Sequence, residues 1–411
     1  MLRSHLPSTP PSVLPLRLLA CGMLTFCAVF AGCKSETAPT VARQESQLLE
    51  PNSFMASWKR DISVAEYGTP ARVYLRDDMV FVYTDQKIVY VLSAVGGRTL
   101  WVSRDVVGPL ERLWPPVVLD ALNRFGTDVQ RVVAFPTSTS YVVFNERGDK
   151  LQETPLEQGE RAITSPSYGY EGLAYVGVAH NYGGLAAQID PTRLVNPILL
   201  PALLKGVVIG RPVVYDDVFF IADQSGNVYG ITQQGSQAWS IPRFETGNSV
   251  TAGLTADEHG LYVASTDSVL YVLDRATGQI KWRFFAEVPL FKPAFPTENY
   301  VFVPVEPRGV VALTKSEDAP MNREPLWTAE GAIEVLSHDE QNVYLLHRDG
   351  SIVAHRKDNG EELFRTERSD FIAFARNLNG SSIVAATRGG EIVSIEPVLT
   401  RGRVGMTVKA D

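Results

Sequence analysis

Residues able to do chemistry are few and scattered. The chain has six histidines and three cysteines. His347 and His355 fall on the two arms of one predicted hairpin, where imidazoles could bind a metal, yet no third ligand follows at a recognisable metal spacing. Both read as packing or surface residues. The patterns GxSxG and HExxH and the Gly-rich phosphate loop are absent, which removes the usual settings for a strained serine nucleophile, a zinc-bound water and a phosphate cradle. The residues point to no enzyme, no metal and no cofactor.

The cysteines carry a different message, because Cys21, Cys27 and Cys33 all lie at the N-terminus. Arg3 and Arg17 precede the apolar run "LLACGMLTFCAVFAG" (Leu18 to Gly32), too short to span a bilayer comfortably and laid out as a secretory signal. Small residues at Ala31 and Gly32 before Cys33 resemble a bacterial lipobox, although Phe30 replaces the usual aliphatic residue. Cleavage there predicts a signal peptide over 1–32, an acylated Cys33 and a mature chain with no disulfide. Each buried acyl CH₂ contributes about 0.8 kcal/mol, so several chains on one cysteine anchor a protein to a membrane without a spanning helix. In lipoproteins of double-membraned bacteria, Lys34 after the cysteine favours the outer membrane, facing the periplasm. Residues 33–50 are polar and unpatterned and read as a flexible tether. Net charge is −8, and loss of 1–32 removes two more positive charges. No basic patch suggests nucleic acid.

Whatever these residues do, a repeat must position them. At 45% hydrophobic with 32 Gly and 26 Pro, the chain can bury a large core and must turn often. Hairpin-like stretches recur near every 43 residues: "VFVYTDQKIVYVL" from Val80, "VFFIADQSGNVYGI" from Val218, "LYVASTDSVLYVL" from Leu261, and further copies from Val301, Val343 and Ile383. Weaker copies start at Val132 and Ala174, making eight. Their arms are apolar on both faces, as in strands sandwiched between neighbouring sheets. Trp101, Trp239, Trp282 and Phe364 each lie 21 residues after the start of their hairpin, and Trp327 lies 26 after its own. In "LDRATGQIKW", Asp274 can accept turn N–H groups and Gly278 can take positive φ.

A further short strand before each hairpin gives four per repeat, so the expected fold is all-β: an eight-bladed β-propeller of four-stranded antiparallel blades over 51–400. The last copy has no aromatic at the expected offset, and residues 401–411 form a tail. Trp58 stands 43 residues before Trp101, where a preceding blade's outer strand belongs. An N-terminal strand is therefore expected to complete the last blade and remove an open edge.

Asp274, Thr277, Gly278 and Trp282 resemble the tryptophan-docking repeat of the pyrroloquinoline-quinone-type propellers, with looser copies at Gly97/Trp101, Gly235/Trp239 and Gly360/Phe364. That superfamily contains quinone-dependent dehydrogenases and noncatalytic scaffolds. With the lipobox, the chain looks most like the BamB family, outer-membrane lipoproteins of the barrel-assembly machinery. The resemblance implies a noncatalytic scaffold that binds the central barrel-assembly subunit and helps β-barrel proteins enter the outer membrane. Alternatives are a quinone-dependent dehydrogenase, or a propeller binding a soluble ligand or cell-envelope polymer. Two insertions, Val107 to Gly126 and Arg193 to Gly206, bring Leu113, Trp114, Leu200, Leu203 and Leu204 forward. These could form an exposed patch for a membrane-protein partner or be buried in irregular strands.

Overall fold

The computed structural model describes residues 53–398 except 109–110, 123–128, 157–160, 163, 165, 169–173, 181–182, 190–197, 201–203, 368–369 and 378–379. The signal peptide, Cys33, the tether and residues 401–411 lie outside the described residues.

The strands group into eight sheets. The first contains Pro70–Arg76, Met79–Thr84, Val89–Ser93 and Thr99–Ser103, paired in chain order. The next six begin at Val117, Arg161, Val213, Thr255, Phe295 and Ala332. The eighth joins Phe371–Ala375, Ile383–Thr387 and Glu391–Val398 to the N-terminal strand Ser53–Asp61.

Among the described residues seven of these sheets carry a four-stranded antiparallel blade, not eight, which corrects the expectation of an eight-bladed propeller of four-stranded antiparallel blades. The third sheet breaks the plan. Its first position is filled by two pieces, Arg161–Ala162 and Ser167–Tyr168, both pairing with Ala174–His180. Pro166 stands between the pieces and has no N–H to give a ladder. The fifth sheet also departs, because Asn322–Arg323 adds a parallel strand outside Ile280–Phe285. A one-turn helix, Val64–Tyr67, joins the eighth sheet to the first.

The middle strands are buried on both faces; Met79–Thr84 and Asn342–His347 are buried at every position. The apolar cores lie between sheets. Val80, Val82 and Leu92 of the first pack with Val384, Ala386 and Ile392 of the eighth, while Phe81 and Val91 pack with Phe135 and Phe144 of the second. Similar cores join the fourth to the fifth, the fifth to the sixth, the sixth to the seventh and the seventh to the eighth. Hydrogen bonds join the third sheet to its neighbours: the Ala162 N–H donates to the Ser138 carbonyl at 2.9 Å, and Arg211 Nε to the Pro166 carbonyl at 3.3 Å. Ser53–Asp61 pairs antiparallel along Glu391–Val398 with a bulge between Ala56 and Trp58. The two ends of the described chain thus share one sheet.

Candidate interaction surfaces

The repeat tryptophans dock across blades. Trp58 of the eighth sheet lies on Gly97 of the first, Trp101 on Gly148 of the second, Trp239 on Gly278 of the fifth and Trp327 on Gly360 of the seventh. A Cβ on Gly278 would stand 2.6 Å from the Trp239 ring, and one on Gly360 2.6 Å from Trp327. All four glycines also have positive φ, so each turn is both left-handed and flush against an indole. Trp58, Trp239 and Trp327 donate their indole N–H to the carbonyls of Ala94, Arg275 and Lys357, at 2.7, 2.7 and 2.8 Å. Each carbonyl stands three residues before the receiving glycine. Trp101 Nε1 is buried without a hydrogen-bond partner.

Asp274 fixes one of these turns. Its Oδ1 accepts from the Ala276 and Thr277 N–H groups, at 3.1 and 2.8 Å, and from the Thr277 hydroxyl at 2.8 Å. The hydroxyl bond, opposed by burial and helped by the two N–H groups, holds its carboxyl below the usual range. The turn around Gly278 therefore seats Trp239 of the preceding blade, not Trp282 of its own. Phe364 meets Phe54 of the closing strand edge-on at 4.8 Å. Trp282 meets neither; the Arg323 guanidinium lies 5.1 Å from its ring centre.

The insertion residues separate. Trp114 is 8% exposed, with the Arg112 guanidinium 4.3 Å over its ring. Its backbone N–H donates to the Pro136 carbonyl at 2.9 Å and its backbone carbonyl accepts from the Tyr83 hydroxyl at 3.0 Å. Leu113 is half-buried, bridges Thr137 and packs against the core between the first and second sheets. These two residues thus belong to the junction between blades and do not form an exposed patch. Leu204 is half-buried against Val208, Phe219 and Ile221. Leu200 ends the strand Ile198–Leu200, and its side chain, like all of Leu203, lies outside the described residues.

Other apolar side chains are exposed, including Val95 at 82%, Phe285 at 63% and Phe291 at 64%. The last two bracket the passage out of the fifth blade. Sequence reading missed them because their neighbours Phe284 and Leu290 are buried, and an apolar run does not reveal which members face out.

His347 and His355 are 8% and 5% exposed and stack at 5.6 Å, with Trp327 stacked on His355 at 6.0 Å. His355 Nδ1 lies 3.0 Å from the Gly360 carbonyl, so that nitrogen carries the donating proton. Its Nε2 then accepts from His347 Nε2 at 3.4 Å. Burial holds both imidazoles below the usual histidine range, and His355 lowers His347 further. Among the described residues no three His, Cys, Asp or Glu side chains gather as a metal site.

A central cavity of about 500 Å³ is lined in part by Arg76, Arg211, Thr255 and Arg376. The arginines lace neighbouring inner strands together: Arg76 Nε donates to the Pro116 carbonyl at 3.1 Å, Arg211 to Pro166, and Arg376 pairs with Glu334. Inner-strand ends vary too much among the repeats for the sequence to have marked them.

Comparison with known proteins fits this construction. Residues 188–292 match a family model described as outer membrane protein assembly factor BamB. Among solved structures, BamB from Moraxella catarrhalis is similar with a TM-score of 0.58 and 14% identity, covering 85% of this chain and 99% of that one. The computationally designed Ika8 protein is similar with a TM-score of 0.60 and 16% identity, covering 79% and 95%. No curated protein matches. In this stretch and in its fold, the chain is similar to the PQQ-like-repeat propellers of the BamB kind.

Proposed function

We propose that this BamB-like propeller is a noncatalytic scaffold in outer-membrane β-barrel assembly, held at the membrane by lipid on Cys33 and facing the periplasm. The match of residues 188–292 to the assembly-factor family carries the reading, and the likeness of the whole ring to a BamB structure supports the fold it requires. The Trp–Gly docks and the buried histidine pair spend the conspicuous side chains on holding blades together. Partner binding then falls to the rim and loops, where exposed Phe285 and Phe291 offer apolar contacts of the kind that anchor interfaces. The partner in this reading is a membrane protein, the central barrel-assembly subunit.

Affinity purification of the tagged full-length protein from mildly solubilised native membranes tests this directly. The expected result is stoichiometric recovery of a large outer-membrane barrel protein with periplasmic domains, reduced in a Cys33→Ser variant. Recovery of the propeller alone, under conditions that keep other envelope complexes intact, overturns it.

A further inference from the structure

Trp282 is the repeat tryptophan whose docking place was rebuilt. Where Trp58, Trp101, Trp239 and Trp327 each meet a left-handed glycine of the next blade, Trp282 meets the guanidinium of Arg323. The segment between Thr314 and Trp327 makes this exchange. It places Asn322–Arg323 parallel to Ile280–Phe285, Arg283 Nε donates to Asn322 Oδ1 at 2.8 Å, and the Arg283 N–H donates to the Met321 carbonyl at 2.9 Å.

Arg323 is 6% exposed. Its Nη2 donates to the Ser316 carbonyl at 2.7 Å, whereas Nε and Nη1 are buried without hydrogen-bond partners. An unpaired buried donor is destabilising, and more so when charged. Arg323 also lines a cavity of about 400 Å³ shared with Lys281, Lys315, His259 and Glu317. Lys315 is paired with Asp257, Lys281 Nζ donates to the His259 carbonyl at 2.8 Å, and His259 Nδ1 stands 3.4 Å from Glu258. Glu317 is the one carboxylate among the described lining residues, against two lysines and an arginine.

We infer that this cavity binds an oxyanion, a phosphate or carboxylate group presented by a ligand, with Arg323 as its principal donor and Lys281 at the mouth. Nε and Nη1 are closed to solvent as the side chain stands, so an oxyanion accepts from them as the guanidinium turns into the cavity, where it neutralises a desolvated cation; charge-assisted bonds of this kind are roughly twice as strong as neutral ones. Trp282 holds the guanidinium plane, so occupancy alters its surroundings and its fluorescence. The inference does not depend on the membrane-partner surface proposed above.

The test titrates the intact protein with inorganic phosphate and, separately, with succinate, at constant ionic strength maintained with chloride. Melting temperature and tryptophan emission are read together, with Trp282→Phe identifying the emission change. Either anion is expected to raise Tm and shift Trp282 emission saturably; the stronger one identifies the group. Arg323→Gln is expected to weaken binding about tenfold or more, Lys281→Gln to weaken it less, and Glu317→Gln to tighten it. Lys281 is exposed, so its variant remains informative if Arg323→Gln does not fold. No saturable response to either anion, or an affinity unchanged in the Arg323 and Lys281 variants, overturns the inference.

Discussion

At Gly278 the backbone sits at φ +75° and a Cβ would stand 2.6 Å from the Trp239 indole. Gly278→Val must therefore move the turn or the ring. Left-handed strain of about 1–2 kcal/mol and overpacking of about 1–3 kcal/mol predict a loss of roughly 2–5 kcal/mol, measurable by urea unfolding. The same substitution at Gly96, where a Cβ meets nothing within 4 Å, should cost only the strain. The His347–His355 pair predicts a pH effect. Both side chains are held below their ordinary value mainly by burial, so the unfolded chain binds protons that the folded chain resists. Stability contributed by the neutral pair is present above the ordinary histidine value near pH 6.5 and is lost as pH falls below it. Urea midpoints from pH 8 to 5 should decline, and His347→Gln/His355→Gln should flatten that decline relative to the parent. Turn chemistry and spacing are local, which is why the sequence could single out Trp58, Asp274 and Gly278. It did not disclose that each glycine receives the preceding blade's tryptophan, since a fixed offset is equally compatible with docking inside a blade and across blades.

At the scale of elements, the hairpins were the most legible part, because two apolar arms around a polar turn form a strong local signal. The N-terminal strand was legible only through a gap: Trp58 stands one repeat before Trp101, and Ser53–Asp61 does pair along Glu391–Val398. The third sheet was least legible. Pro166 divides its inner strand, and a doubled partner for one strand leaves no periodic trace. The extra spacing before Trp327 was visible as a longer offset, yet nothing in it foretold a parallel strand on the blade before. Removing residues 53–61 exposes the edge of Glu391–Val398, uncovers Phe364 and empties the Trp58 dock. Such a truncation should lose the cooperative unfolding transition and associate through the freed edge, read by circular dichroism and size-exclusion chromatography. A monomer with unchanged Tm would show that closure through this strand contributes little.

For the whole molecule, an acidic ring whose aromatic repeats serve inter-blade docking leaves partner binding, in the scaffold role proposed above, to its rim and loops. Of the two readings left open for Leu113 and Trp114, packing at a blade junction is the one seen, with Leu113 half-buried and Trp114 buried, and exposed Phe285 and Phe291 were hidden within runs whose neighbours are core. That difference is one of side-chain direction, which a sequence without strict alternation cannot supply. The measurement that tests the scaffold account most directly is depletion of the protein in its native cells, followed by quantification of folded β-barrel proteins in the outer membrane and re-expression of the parent chain. The account predicts that folded barrels fall on depletion and recover with the parent but not with Cys33→Ser. Barrel levels unchanged by depletion would contradict it.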